Sequence, residues 1–357
     1  MVDAEPSWTA REVILQIREK LSGRGLTHRL LLGAVVLTGS TTLNDLELVD
    51  GSQLIVVTSP GQLATASADC TARLWDAATG EQMQTLEGHG AAVRSVVFSP
   101  DGEWILTASE DHSARIWEVA TGRCTLTLDG HEDWVRSAAF SPDAAQVVTA
   151  SDDNTAKVWE SASGRCVLTL EGHEGKVHSA AFSPDGAWLI TASEDKTAKI
   201  WELPSGECVR TLKGHGDAVN SAIFSPDGRR VLTASDDRTA RIWQTSSGRV
   251  LVTVNGHSND VHSAAFSPDA TRVLTASADC IAKVWETASW QVQELEGNGS
   301  LVWSAAFSMD GKRVITASDD GTAKVWESAS GQCMQRLEGH LSVVFSATFS
   351  PTFPEIA

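Results

Sequence analysis

Seven tryptophans recur at near-constant intervals along this chain: Trp75, Trp117, Trp159, Trp201, Trp243, Trp285 and Trp326. Five of the gaps are 42 residues and the last is 41. A Gly-His pair keeps step with them, at His89, His131, His173, His215, His257 and His340. Self-similarity at such a period means one supersecondary unit copied many times, with neighbours stacked to bury faces that no single copy can cover. A ring or an array of small sheets follows, not one central core.

The stretch from Cys124 to Trp159 shows what one unit contains. Cys124-Thr125-Leu126-Thr127-Leu128 is a short run of β-formers ending at Gly130-His131. Trp134 to Phe140 is a second run, closed by the turn signal Ser141-Pro142-Asp143. Gln146 to Ser151 is a third, closed by Asp152-Asp153-Asn154, and Thr155 to Trp159 a fourth, closed by Ser161-Ala162-Ser163-Gly164. Four short strands joined by tight turns make an antiparallel meander. Stacked radially, such sheets bury their faces and leave only short edges.

The succession Gly-His, strand, Ser-Pro-Asp-Gly, then Thr-Ala-Ser-x-Asp-x-Thr-Ala-Lys-Val-Trp-Glu resembles the WD-repeat β-propeller family over about residues 58 to 350. Only Trp75-Asp76 carries the literal dipeptide; the other copies have Glu or, at Gln244, Gln. The resemblance implies an all-β, seven-bladed propeller of four-stranded antiparallel blades, here preceded by a small α+β segment. The expected division is 1–58 for that segment and 59–357 for the ring.

In that family a His, a Ser or Thr of the second strand, an Asp of the next turn and the third-strand Trp form a hydrogen-bonded set. Matched by position, the sets are His89, Ser109, Asp111 and Trp117; His131, Ser151, Asp153 and Trp159; His173, Ser193, Asp195 and Trp201; His215, Ser235, Asp237 and Trp243; His257, Ser277, Asp279 and Trp285. A buried indole, imidazole and carboxylate each need partners, and satisfying them together pins strand register. A Ser/His/Asp group also has the composition of a hydrolase triad. Five copies within one chain and no accompanying oxyanion hole argue for the structural role.

Two copies break the pattern. Asn298 stands where the His before Ser318, Asp320 and Trp326 is expected, and one residue is missing, expected in the turn near Trp290. The first copy has Ser67, Asp69 and Trp75 but no upstream His. These two blades are expected to be the softest. The first copy also has an irregular innermost strand, whereas the chain end offers a well-formed spare, Ser342 to Ser350, after Gly339-His340. That spare is expected to complete the first blade and remove the last free edge.

Residues 1–58 do not repeat. Thr9 to Lys20 reads as a helix, with Val13, Ile14, Ile17 and Leu21 at helical spacing and Ser7 or Thr9 as cap. Arg29 to Leu32 and Gln53 to Val57 read as strands. The order of elements resembles a ubiquitin-like domain that lacks its first hairpin, Met1 falling where the second strand would already run. An extension or extra packing for the first blade are the competing readings.

Composition narrows the function. A formal net charge of −18 repels phosphates and anionic membranes, so neither nucleic acid nor a membrane is expected as partner. The longest apolar run, around Leu30 to Leu37, is too short to span a bilayer, and an intracellular location, cytoplasmic or nuclear, is expected. Cys124, Cys166, Cys208 and Cys333 share one slot of the repeat, Cys70 and Cys280 another. Equivalent atoms in different copies are a whole unit apart, so reduced thiols, buried or half-buried, are expected rather than disulfides or a metal site. No phosphate-cradling glycine loop, metal-spaced His/Cys cluster or lone nucleophile beside a base is present in the sequence. No enzyme activity, metal or cofactor is therefore expected.

Propellers of the resembled family are mostly platforms for other proteins. Their contact face would carry the positions five residues after each Gly-His histidine: Arg94, Arg136, His178, Asn220 and His262, with Trp303 in the irregular copy. Trp134 and Lys176 stand two residues earlier in their copies. Variable slots on a constant framework, with an exposed Trp beside Arg, have the composition of a binding surface. The expected function is a monomeric, non-catalytic scaffold for protein or peptide partners. The alternative is a substrate receptor of a ubiquitin ligase. It is weakened by Ala78, which stands where many such receptors place an Arg after the Trp-Asp pair.

Overall fold

The computed structural model describes residues 61–351 throughout, together with the backbone of three strands ahead of them, Leu26–Leu32, Val35–Leu37 and Leu54–Pro60. Each repeat forms one four-stranded antiparallel sheet, and seven such sheets are present. In the third blade the order from the axis outward is Val135–Phe140, Gln146–Ser151, Ala156–Glu160 and Cys166–Leu170. The other blades repeat this order. No helix occurs among the described residues.

The first blade is built from both ends of the ring. Val344–Phe349 is its innermost strand and pairs with Gln62–Ser67, followed outward by Ala72–Asp76 and Gln82–Leu86. Thus the spare strand foreseen at the chain end does close the ring. Counting from there, the blades start at Val344, Val93, Val135, Val177, Val219, Val261 and Val302.

The core lies between blades. Leu106, Ala108, Ala114, Ile116 and Leu128 of the second blade pack against Val135, Ala138, Val147 and Trp159 of the third. Seven such clusters exist for seven joints, including one that joins Ile315, Ala317 and Val325 of the last blade to Leu63, Trp75 and Phe349 of the first. An open array of seven would have six. The second strands are sandwiched on both sides; five of the six residues of Gln146–Ser151 are buried, which explains their unbroken apolar pattern. Each indole buries roughly 200 Å², on the order of 5 kcal/mol of transfer free energy.

Backbone bonds also cross the joints near the axis. Ala180 N–H donates to Ser137 Oγ at 3.2 Å, Ala222 to Ser179 at 3.0 Å, and across the closure Ala347 to Ser304 at 3.2 Å and Val96 to Ser346 at 3.4 Å. These serines follow a β-bulge in every innermost strand, at Arg136 in the third blade, where register shifts between Val135 and Ser137. The same shift occurs in the other six. A bulge re-aims the extra side chain out of the regular alternation.

The Gly of the Gly-His pair has a steric reason. Gly256 has φ +142, and a Cβ there would lie 2.9 Å from Trp285 Cη2. In the other Gly-His copies the same Cβ would sit 3.3 to 3.6 Å from the indole, and the shared requirement is a φ between +134 and +154 that L side chains rarely adopt.

The structure moves the missing residue. Trp285 pairs with Val292 seven positions on, as Trp159 does with Cys166, so the turn at Trp290 keeps full length. The outermost strand is what is shortened. In the third blade a bulge separates Cys166 from Leu168, whereas Val292–Leu295 runs without one. The cysteines are all free, but Cys166, Cys208 and Cys333, which open outermost strands at the rim, are exposed, whereas Cys124 in the same slot packs against the cluster of Trp117 and Val119. Only Cys70, Cys124 and Cys280 are half-buried.

Ahead of the ring, Leu26–Leu32 pairs antiparallel with Val35–Leu37 on one side and Leu54–Pro60 on the other. These strands contain Arg29 to Leu32 and most of Gln53 to Val57. The expected helix at Thr9 to Lys20 lies outside the described residues.

Candidate functional site

Two layers of side chains, one polar and one mixed polar and aromatic, sit at the end of the ring where the innermost strands begin. The lower layer is a framework. In the third blade His131 Nδ1 lies 2.7 Å from Asp153 Oδ2, and its Nε2 lies 2.7 Å from Thr149 Oγ1. Trp159 Nε1 donates to the same hydroxyl at 2.8 Å. One assignment gives every proton an acceptor: Trp N–H to Thr oxygen, Thr O–H to Nε2 of a neutral imidazole, and Nδ1–H to the carboxylate. Asp153 also accepts from the N–H groups of Glu132 and Thr155 and from the Thr155 hydroxyl.

The hydroxyl at the centre belongs to Thr149, not to Ser151 as the family pattern led us to expect. Ser151 donates to Asp133 O and accepts from Asp153 N–H, both at 3.1 Å, so it holds the loop and turn that carry the other members. Thr107, Thr191, Thr233 and Thr275 repeat the role of Thr149 in the sets of His89, His173, His215 and His257. Their aspartates Asp111, Asp195, Asp237 and Asp279 bind the imidazoles at 2.7 to 2.8 Å. Ser109, Ser193, Ser235 and Ser277 take the place of Ser151.

The two irregular blades are not defective in this layer. The first blade receives its His from the other chain end: His340 Nδ1 meets Asp69 Oδ2 at 2.8 Å and Nε2 meets Thr65 Oγ1 at 2.7 Å. Trp75 donates to Thr65 at 2.8 Å. In the last blade Asn298 is fully buried and its Oδ1 accepts from Thr316, at 2.7 Å, in place of the imidazole. Lys324 Nζ supplies the missing partner of Asp320 at 3.0 Å. Both sets are complete, the first with an imidazole from the far chain end and the last with Asn298 as acceptor and Lys324 as donor, so the hydrogen bonding of this layer gives no ground for the expected softness.

Burial lowers the pKa of His173, His215, His257 and His340, against the pull of their aspartates, and keeps the rings neutral. For Asp69 burial works the other way, yet hydrogen bonds from Thr71, His340 and Leu341 N–H outweigh it and hold the carboxyl at about 2. Asp237 is held at about 2 by its bonds from Thr239, Gly216 and His215 despite burial.

The upper layer is a belt made by the bulged residues. Phe345, Arg94, Arg136, His178, Asn220, His262 and Trp303 occupy the same position of seven successive innermost strands, all partly buried. Phe345 is not among the positions expected from the sequence, although it stands five residues after His340 like the others. Contacts run round the belt. The Arg94 guanidinium lies over the Phe345 ring at 4.0 Å and Trp303 meets Phe345 edge-on at 5.4 Å. His262 stacks on Trp303 at 4.4 Å and 9°. His178 Nδ1 meets Asn220 Oδ1 at 3.2 Å.

Residues at the ends of the second strands serve as anchors. Arg94 pairs with Glu110 at 2.5 Å. Arg136 donates twice to Asp152, at 2.7 and 2.8 Å, and Lys176 reaches the same carboxylate from the next blade at 3.0 Å. Asn220 Nδ2 donates to Asp236 at 2.5 Å, and Trp303 Nε1 to Asp319 at 3.4 Å. Trp134 is half-buried rather than exposed. The guanidiniums of Arg136 and Arg94 lie 5.0 and 5.7 Å from its ring, and they cover part of it. Such stacking holds long cationic side chains upright, so little rotamer entropy remains to be lost on binding.

Comparison with known proteins covers the same region. Residues 62–245 match the family model described as the WDR3 first beta-propeller domain. Residues 35–76, 248–286 and 289–327 match the WD domain, G-beta repeat. Among curated relatives, the nuclear distribution protein PAC1 of Arthroderma benhamiae is 52% identical over 44 residues, 12% of this chain and 10% of that protein. The WD40 repeat-containing protein HOS15 of Arabidopsis thaliana is 49% identical over 43 residues, 12% and 7%. A Lissencephaly-1 homolog of Heterostelium pallidum is 46% identical over 46 residues, 13% and 11%. Each of these matches spans about one repeat and about a tenth of the relative's length.

Proposed function

The chain belongs to the WD-repeat β-propeller family, and we propose that it acts as a non-catalytic platform that binds protein or peptide partners on the end of the ring carrying the belt. The observation behind this reading is the contrast between the two layers. The framework repeats the His-Asp-Thr-Trp set in six blades and a substituted form of it, with Asn298 and Lys324, in the seventh, whereas the belt places Phe, Arg, Arg, His, Asn, His and Trp in one equivalent slot. A slot serving the fold would favour one residue. Aromatic rings and guanidiniums gathered at one end are the side chains that dominate protein interfaces. Trp134, Arg136 and Arg94 form the expected centre, with Lys176, His178, Asn220, His262 and Trp303 around them.

The double variant Trp134→Ala, Arg136→Ala tests this against a peptide selected on the intact chain from a random library. Binding is expected to weaken by at least about 30-fold, the size of a hot-spot loss. The variant should stay folded but melt somewhat lower, because Lys176 keeps Asp152 Oδ2 while the buried Oδ1 loses its Arg136 partner, a cost of about 1–3 kcal/mol, and near-ultraviolet circular dichroism checks the fold. Full affinity in the double variant would place the binding surface elsewhere.

Residues 1–58 are proposed to form a unit of their own, of ubiquitin-like order, ahead of a ring at 59–357. The antiparallel pairing of Leu26–Leu32 with Leu54–Pro60 supports it. The match of the repeat model from residue 35 runs across that boundary and favours the competing reading, extra packing for the first blade.

A further inference from the structure

We propose that Asp236, Asp260 and His262 bind a divalent first-row transition-metal ion such as zinc at the joint between the fifth and sixth blades. Their ligating atoms lie within 4.8 Å of one another. Two carboxylates and an imidazole suit zinc, with the fourth position left for water or for a partner's side chain. Asp236 comes from the end of one blade's second strand and the other two from the next blade's entry, so no ligand spacing is visible in the sequence.

The repeat itself supplies the comparison. Asp152 occupies in the third blade the position of Asp236 in the fifth. It is met by two cations, Arg136 from its own blade and Lys176 from the following one. At the Asp236 joint the residue equivalent to Arg136 is the neutral Asn220, and that equivalent to Lys176 is Asp260. A carboxylate therefore faces a carboxylate where the fold elsewhere places an ammonium.

His262 is set up as a ligand by groups outside the cluster. Its Nδ1 lies 3.3 Å from Val302 O, so Nδ1–H donates and the lone pair is left on Nε2. Metal-binding imidazoles commonly have their other nitrogen held this way. Stacking on Trp303 fixes the ring plane. The backbones of the two aspartates are pinned too: Asp236 N–H donates to Ala218 O at 3.0 Å and Asp260 O accepts from Ala278 N–H at 2.9 Å. Asp236 Oδ1 already accepts from Asn220, which leaves Oδ2 for the ion.

The test is calorimetric titration of the intact chain with Zn²⁺, repeated on Asp260→Lys, Asp260→Asn and His262→Gln. Asp260→Lys copies the Lys176 arrangement and is expected to fold normally while taking up no ion at this site. The other two variants should weaken binding by at least about tenfold. Near-ultraviolet circular dichroism checks that each variant is folded, and Asp260→Asn carries the test should the Lys variant not fold. One equivalent bound by the intact chain and lost in the variants supports the site. Uptake that is absent in the intact chain, or equal in all four proteins through exposed cysteines, overturns it.

Discussion

Removing residues 340–357 is expected to lower the melting temperature by on the order of 10 °C or more, or to abolish cooperative unfolding. The deletion takes away the whole innermost strand of the first blade and its ladder with Gln62–Ser67. Val344, Ala347 and Phe349 leave the cluster that joins the last blade to the first. Loss of His340 strips Asp69 and Thr65 of their imidazole. Burying a Val or Phe side chain contributes about 1.5–3 kcal/mol, and each orphaned buried polar group costs about 1–3 kcal/mol. Together these terms rival the whole stability of a typical protein, about 5–15 kcal/mol. About 1 kcal/mol shifts the midpoint by roughly 2–4 °C in chains of 150–250 residues, which sets the stated scale. An unchanged melting curve would mean that the ring does not close through its C-terminal strand.

Replacing Thr149 by Val is expected to destabilise the protein by about 2–6 kcal/mol, more than replacing it by Ser. Valine keeps the shape but removes the oxygen shared by His131 Nε2 and Trp159 Nε1, leaving two buried polar groups unpartnered at about 1–3 kcal/mol each. Serine keeps the hydroxyl and loses one methyl, a cost of about 1 kcal/mol. Urea unfolding of both variants measures the difference. Equal losses would show that packing, not the shared hydroxyl, governs the site, and would return the central role to Ser151.

Sequence periodicity alone was enough to read the blades, because a fixed interval between buried indoles admits few architectures. Closure was legible too: the first copy lacked a strand and a His, and the chain end had one of each to spare. The first blade nevertheless looks incomplete in the sequence, because the His partner of Asp69 lies 271 residues downstream instead of just ahead of it. Thr149 and Ser151 were harder to separate. Residues two apart share a face of a strand, so both hydroxyls point the same way and only the distance to Trp159 decides. The shortened strand was misplaced because a bulge leaves no mark in a single sequence; it emerged from comparing Val292–Leu295 with its neighbours. The belt positions were legible as a slot. Their anchoring by Glu110, Asp152, Asp236 and Asp319 was not, because those residues lie about 16 positions away on the adjoining strand.

The claim that partners dock on the belt end is tested most directly by hydrogen exchange of the intact chain with and without a library-selected peptide. The account predicts slower exchange in the loops leading into the innermost strands, such as 132–134 and 258–260, with outermost strands such as Cys166–Leu170 unchanged. Protection confined to the outermost strands, or to the Ser-Pro-Asp turns at the opposite end, would contradict it.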